Sequence, residues 1–522
     1  MSTNRSASES SDSTSLHPPS GRVEPKRGEG FGTGENAMDD LQAPPALPAR
    51  SSRPSQREGV VTAAPSRRAI LGGTIGLAGM AFADLLGKSA AGEATIATAD
   101  LPHHRPRAKR VIFLFMHGGP SHVDTFDYKP ELAKQHGKPL PFDKPRIQFA
   151  KTGNLLKSPW KFRQYGQSGA WVSDLFPHVA RHVDDLTFIK SMHGSNEAHG
   201  GALLKVHTGS DTFVRPSMGS WISYGLGTEN QNLPSFITIN PTLGHGGVRN
   251  FGSAFLPPIH QATRIGQTRA PMKNAKIENL TSFSNTPAEL QRRQLAMLRE
   301  LDQAKAGSGE IDAALSARLE SFELAYRMQT ETPELMDLSR ETAETLALYG
   351  INDGPTDNFG RECLLARRFC EAGVRFVQVT HNYWDQHSKL KEKHSELAAE
   401  VDLPIAGLLT DLKRRGLLED TLVIWGAEFG RTPTAQGGNG RDHNPHAFTY
   451  WMAGGGVKSG FSYGQSDPFG FYTEDEKVHV HDFHATVLHL LGIDHERLTY
   501  RYGGRDFRLT DVEGKVIHPI FA

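Results

Sequence analysis

The stretch VIFLFMHGGPSHVD, residues 111–124, opens with six apolar residues and then turns at once to glycine, proline, histidine and carboxylate. An unbroken apolar run of that length, closed by turn residues, predicts a short strand buried on both faces. The same pattern recurs along the chain. LTFIK (186–190), SFITI (235–239), VRFVQVT (374–380), TLVIWG (421–426) and FTYWMAGG (448–455) are further strands. Helices fall between them. One carries Leu364, Leu365 and Phe369, another shows Ile405, Leu408, Leu409 and Leu412 on one face, and a last helix spans 482–491. Apolar strands alternating with helices predict an α/β fold: a doubly wound, mostly parallel sheet with helices on both faces. Residues 286–349 break the alternation. Thr286-Pro287-Ala288-Glu289 reads as a capping box with proline at the first helical position, and Leu315, Leu319, Phe322 and Tyr326 keep helical spacing. This segment is expected to be a helical insertion lying over the sheet.

The domain is thus expected over 108–522, and what precedes it differs. Residues 1–60 are rich in Ser, Pro, Gly and Arg without apolar period, which predicts a disordered extension. Over 61–95, Arg67-Arg68 stands ahead of a mildly apolar, Gly- and Ala-rich stretch. That resembles a twin-arginine signal, so export by the twin-arginine machinery to the periplasm or cell surface is expected. The apolar run is too short and glycine-rich for a stable membrane span. Lys+Arg and Asp+Glu both number 58, so nothing global favours nucleic acid or an anionic membrane. The two cysteines, Cys363 and Cys370, would lie about 10 Å apart on one helix, too far for a disulfide.

In an open α/β sheet, ligands bind beyond the carboxyl ends of the strands. The segments found there are unusual. His117 through Asp124 follows the first strand, and Asn196 and His199 follow 186–190. His381 through His387, with Asp385, follows 374–380. Glu428 and Arg431 follow 421–426, and Arg441, His443 and His446 precede 448–455. Five such loops, nearly all with His and carboxylate, predict a divalent-metal site. Imidazole with carboxylate suits Zn, Mn or Fe, and carboxylate alone suits Ca or Mg. The expected ligands are His117, Asp124, Asp385, His387, Glu428, His443 and His446. Asp124 could equally cap a short helix, and Arg431 or Arg441 could grip an anionic oxygen or pair with an acid. Asp482 is expected to cap the last helix.

HGGPSHVDTFD, WDQH, GAEFGRTP, GRDHNPH and DFHATVLHLLGID together resemble an exported bacterial family defined by domain of unknown function 1501, over roughly 108–520. That family is similar to a distant branch of the alkaline phosphatase and sulfatase superfamily. The resemblance implies one or two divalent metals and hydrolysis of sulfate or phosphate esters. In its terms His117 holds the place of the first aspartate ligand, Asp385 and His387 match an Asp-and-His pair, and Glu428-Phe429-Gly430 stands for Asp-His-Gly. His443 or His446 matches the final histidine. The sulfatase nucleophile motif Cys-x-Pro-Ser-Arg is missing, and Asn196-Glu-Ala-His199 stands near its place. The expected function is an exported sulfatase-like metal-dependent hydrolase. His199 would be base or replacement nucleophile, Asn196 would lie beside it, and Arg431 would hold the anion of an ester such as a sulfated polysaccharide. The alternative is a non-catalytic relative that binds a polysaccharide or an exported protein.

Overall fold

The computed structural model describes residues 101–143, 151–268, 270–278, 280, 286–307 and 313–522. The extension expected over 1–60 and the twin-arginine region expected over 61–95 lie outside the described residues.

The apolar run at 111–116 is strand β1 (Arg110–Met116). Its side chains alternate between two separate cores. Ile112, Leu114 and Met116 enter one, and Val111, Phe113 and Phe115 enter the other. Successive side chains of a strand point to opposite faces, so a strand apolar at every position demands cover on both. The strands that join it in the main sheet, or that form the hairpin beside the site, begin in chain order with β2 (Leu186–His193), β3 (Phe236–Ile239), β4 (Thr263–Ile265), β5 (Phe376–His381) and β6 (Thr421–Gly426). They are followed by β7 (Gly430–Gln436), β8 (Gly440–Asn444), β9 (Phe448–Ala453), β10 (Phe461–Tyr463) and β11 (Val478–His479).

A nine-stranded sheet runs β10-β2-β9-β6-β1-β5-β3-β4, with β11 also paired to β2. All its pairings are parallel except those of β9, which is antiparallel to both β2 and β6. That reversal has a consequence for the site. The amino end of β9 lies at the edge where the other strands have their carboxyl ends, so the segment before β9 joins the loops that follow them. β7 and β8 form a separate antiparallel hairpin there, with Arg431 opposite His443.

The longer helices are α1 (His199–Thr208), α2 (Met218–Leu226), α3 (Ala288–Gly307), α4 (Ala313–Met336), α5 (Asp357–Glu371), α6 (Leu390–Arg414) and α7 (Val480–Leu490). Leu364, Phe369, Leu408 and Leu412 of α5 and α6 fill one core, while Leu203, Trp221, Phe483 and Val487 of α1, α2 and α7 fill the other. Each such fully buried apolar side chain contributes about 1.5–3 kcal/mol. Both cysteines lie on α5, buried and free.

The insertion is helical, as α3 and α4, and α4 is tied to the segment before β3. Glu331 of α4 accepts hydrogen bonds from Asn230 and Asn232, at 2.7 and 2.6 Å, in the segment that enters β3 at the edge away from the metal-type residues. The last helix also differs from expectation. Its cap is His479, whose ring accepts from the His481 amide, and Asp482 sits at the third helical position, reaching back to the His479 amide at 2.9 Å. Among the described residues no helix is long and apolar enough to cross a membrane.

Candidate metal centre

The loop after β1 needs both of its glycines. Gly118 and Gly119 have φ of 114° and 83°, in the region that side chains disfavour. A β-carbon on Gly118 would lie 2.7 Å from the Trp384 nitrogen. The bare backbone lets the loops after β1 and β5 touch, and Trp384 donates its amide to His117 O at 3.0 Å. Arg431, reaching in from β7, then ties them. Its guanidinium donates to the carbonyls of Gly118, Gly119 (2.8 Å), Trp384 (3.2 Å) and Arg441 (3.3 Å), and to Asp385 Oδ1 at 2.7 Å.

Asp385 is the hub. Besides Arg431 it faces three imidazoles: His199 Nε2 is 3.1 Å from its Oδ2, and His387 Nε2 and His443 Nε2 are 2.9 and 3.1 Å from its Oδ1. Burial opposes ionisation, yet these hydrogen bonds and the Arg431 charge hold Asp385 far below the usual carboxylate range. Glu428, from the end of β6, is fully buried. Its Oε1 accepts from the Gly118 amide and from His199 Nδ1, both at 2.8 Å. Despite burial, His199 and the charge of His117 hold it down to about 2. His199, at the first turn of α1, is clamped between the two carboxylates. Burial disfavours its charge, but Asp385 and Glu428 raise it to about 9.

The remaining rings complete the cluster. His117, from the end of β1, turns Nδ1 to Asn382 Oδ1 at 3.1 Å. His245 stacks on His199 with ring centres 4.9 Å apart. His443 donates Nδ1 to the Glu197 carbonyl at 2.6 Å, which leaves Nε2 as its acceptor nitrogen, facing the acceptor oxygen of Asp385. Two acceptors at that distance call for a cation between them, and a backbone carbonyl on the far nitrogen is the usual orienting partner of a metal-binding histidine. Metal-type triads of His117, His199 and His245, of His199, Asp385 and His443, and of His387, Asp442 and His443 each have ligand atoms within 4.8 Å of one another. His199, His245, Asp385, His387 and His443 line a cleft of about 460 Å³.

The donors fit a divalent ion. His117 Nε2 and Glu428 Oε2 are buried and, among the described residues, have no hydrogen-bond partner. Buried polar atoms are rarely left so. Imidazole and carboxylate without thiolate suit Zn, Mn or Fe in an open site.

Five of the seven expected ligands, His117, Asp385, His387, Glu428 and His443, are brought together. Two are not. Asp124 is fully buried in a two-pronged pair with Arg441, at 2.6 and 3.1 Å, and accepts from Ser121 Oγ at 2.5 Å; its oxygens are spent beneath the site. His446 packs its ring against Phe471 and Tyr472, with centres 6.0 and 5.3 Å away, and is in none of the triads. Arg431 is also a correction. It is fully buried with its donors engaged, so it positions Asp385 and offers nothing to a bound anion. Asn196 accepts from the Ala198 amide at 2.9 Å and shapes the entry to α1.

A model of the family described as protein of unknown function (DUF1501) matches residues 108–521. The chain is a DUF1501 protein. A search of curated proteins finds no match. Among solved structures, the chain is similar to the lipoteichoic acid synthase LtaP from Listeria monocytogenes, with 10% identity, 79% of this chain and 78% of that one covered, and a TM-score of 0.32. It is similar to the PsFucS1 sulfatase from Pseudoalteromonas sp., with 12% identity, 83% and 77% covered, and a TM-score of 0.31. It is also similar to alkaline phosphatase from the Antarctic bacterium TAB5, with 8% identity, 74% and 98% covered, and a TM-score of 0.29.

Two members of the cluster in this DUF1501 protein escaped sequence reasoning. His245 lies six residues beyond β3, and looking past that strand as past the others would have found it. Asp442 stood in plain view beside His443. Its side chain accepts from the His443 amide at 2.9 Å and lies 3.7 Å from His387 Nδ1.

Proposed function

We propose that this DUF1501 protein is an exported, metal-dependent hydrolase of sulfate or phosphate esters, a distant relative of the alkaline phosphatases and sulfatases. The observation that carries the reading is the Asp385 hub facing three imidazoles, together with the buried atoms His117 Nε2 and Glu428 Oε2, which have no hydrogen-bond partner among the described residues. Asp385, His387 and His443 would hold a cation, with His117, Glu428 and His245 supporting it. Such an ion polarises an ester oxygen and lowers the pKa of a bound water.

The chain's own groups supply the rest. His199, held between Asp385 and Glu428 and lining the cleft, would exchange a proton with the ester oxygen or with the attacking water. An anionic ester is served by the N-terminus of α1. That end has no side-chain cap, and Gly200, at the cleft, has open space where a β-carbon would stand. Exposed amides at a helix N-terminus attract anions. Arg431 would keep Asp385 aimed at the cation.

The test is elemental analysis of protein purified without chelator, paired with aryl sulfates, phosphates and phosphonates. Bound divalent metal with turnover that chelation abolishes supports the reading. A chain inert to every ester with Zn, Mn, Fe, Ca and Mg supplied overturns it and leaves the binding-protein alternative. Export by the twin-arginine route has its own test. Arg67→Lys with Arg68→Lys should strand the precursor in the cytoplasm, and unchanged export would sink that part.

A further inference from the structure

Glu362, on α5, is an acid sealed from solvent and served by amides rather than by a cation. Among the described residues no ion pair includes it. The charge that acts on it is another carboxylate, Glu400 of α6, which already pairs with His381 Nε2 of β5 at 2.9 Å. Lys273, in the turn packed on α5, acts with Arg361 on Asp357 instead, and Cys363 beside it is a buried thiol. Asn240 Nδ2 and Asn358 Nδ2 donate to Glu362 Oε1 at 3.0 and 2.9 Å. That leaves Glu362 Oε2 and Asn240 Oδ1, both buried and both without a hydrogen-bond partner among the described residues. Buried polar atoms are rarely left so. With the carboxyl ionised, both atoms would be acceptors and neither could serve the other. Each belongs to a group whose other atom already makes the Asn240–Glu362 bond. A single proton on Oε2 therefore lets acid and amide pair in both directions.

We propose that native Glu362 holds a proton on Oε2 and clasps Asn240 as a neutral acid, which makes it a positioning residue for His245. Asn240 follows β3 with φ of 52°, and its own amide donates to Ile265 O at 2.8 Å. It opens the loop that brings His245 to stack on His199. Further along, Thr268 Oγ1 donates to Pro241 O at 3.0 Å, and Asn250 Nδ2 donates to His245 O at 3.2 Å. Asn358 extends the clasp, for its Oδ1 accepts from the Met272 amide at 2.7 Å. One carboxyl of α5 thus holds the end of β3 and, through Asn358, the segment beside it. Burial pushes the Glu362 carboxyl well above its ordinary range, against the pull of the Asn240 bond, and Glu400 adds to the rise. A carboxylic acid kept neutral by an apolar site can donate a hydrogen bond that a carboxylate cannot. The service to His245 rests on the hydrolase reading; the proton on Glu362 does not.

The experiment compares wild type with Glu362→Gln and Glu362→Leu. The infrared difference between wild type and Glu362→Gln at neutral pH should show one protonated-carboxyl stretch, present only in the wild type. Glutamine keeps the shape and offers an N–H where the acid offers an O–H, so that variant should fold. Unfolded Glu362 releases its proton above its ordinary 4.5, whereas the native chain must keep it, so wild-type stability from this group falls as pH rises. The folding constant of Glu362→Gln should therefore gain about tenfold on that of wild type for each pH unit above 4.5, read from denaturant unfolding. Leucine removes the donor. Amide exchange across residues 242–250 should rise at least about tenfold in Glu362→Leu and stay at the wild-type level in Glu362→Gln. A wild type without the protonated-carboxyl band overturns the proposal. So does a variant-to-wild-type ratio that stays level or falls as pH rises. Equal loop exchange in all three proteins overturns the positioning role.

Discussion

Asp124 and Asp385 are both aspartates in a loop that follows a buried strand, yet they do opposite work. Asp124 is sealed off from solvent, and its oxygens are taken by Arg441 and Ser121. Asp385 keeps more than a third of its side chain exposed and gathers three imidazoles around one carboxylate. Each answers to a buried arginine of the same hairpin, Arg441 of β8 and Arg431 of β7. The difference is saturation. A carboxylate whose lone pairs are all used is a strut, and one that solvent still reaches, with the acceptor nitrogen of His443 beside it, is a seat for a cation.

The largest effect should come from breaking the strut. Asp124→Asn leaves the Arg441 guanidinium buried without its counter-charge, which should cost about 3–5 kcal/mol in denaturant unfolding. A loss below about 1 kcal/mol would erase the contrast between the two aspartates.

Acid and alkali should divide the two regions next. His394 lies beside the strut, fully buried, and accepts from the Ser121 amide at 3.1 Å. Burial, with the charges of Arg431 and Arg441, holds it down to about 3 from an ordinary 6.5. A depressed folded value means its stability is present above pH 6.5 and lost as pH falls towards 3. His199 in the site is raised to about 9, so its contribution is full below pH 6.5 and lost as pH rises through 9. Chelated protein should therefore lose stability on both limbs. His394→Gln should flatten the acid limb and His199→Gln the alkaline one, as read from denaturation midpoints across pH. Either variant flattening the other's limb would refute the assignment.

Asp385→Asn should matter less for folding, about 1–2 kcal/mol in chelated protein, because solvent reaches the group and Arg431 keeps its carbonyl partners. Its cost should fall instead on cation affinity and turnover, measured by metal titration and ester assay. Smallest of all, His446→Ala should lose less than about 1 kcal/mol and leave metal binding unchanged, since its ring only packs on Phe471 and Tyr472. Weakened metal binding in that variant would place His446 back in the centre.

The sequence by itself determined the layered fold, because a strand apolar at every position, as at 111–116, can persist only between two covering layers of helix. It also determined which edge would be polar, since the histidines and carboxylates sit where strands stop. It could not show which of those groups converge. Asp124 and Asp385 are equivalent in the one-dimensional pattern, and only the register of the β7-β8 hairpin hands Asp124 to Arg441 and delivers Arg431 and His443 to Asp385. The reversal of β9, which brings the 440–446 segment to the same edge, has no local signature, for strand direction is set by pairing partners distant in the chain. The insertion pattern predicted helices but not their docking place, which depends on Glu331 meeting Asn230 and Asn232. Periodicity is a local property and was legible; saturation of a charged group is decided by neighbours hundreds of residues away, and only the tertiary structure supplies them.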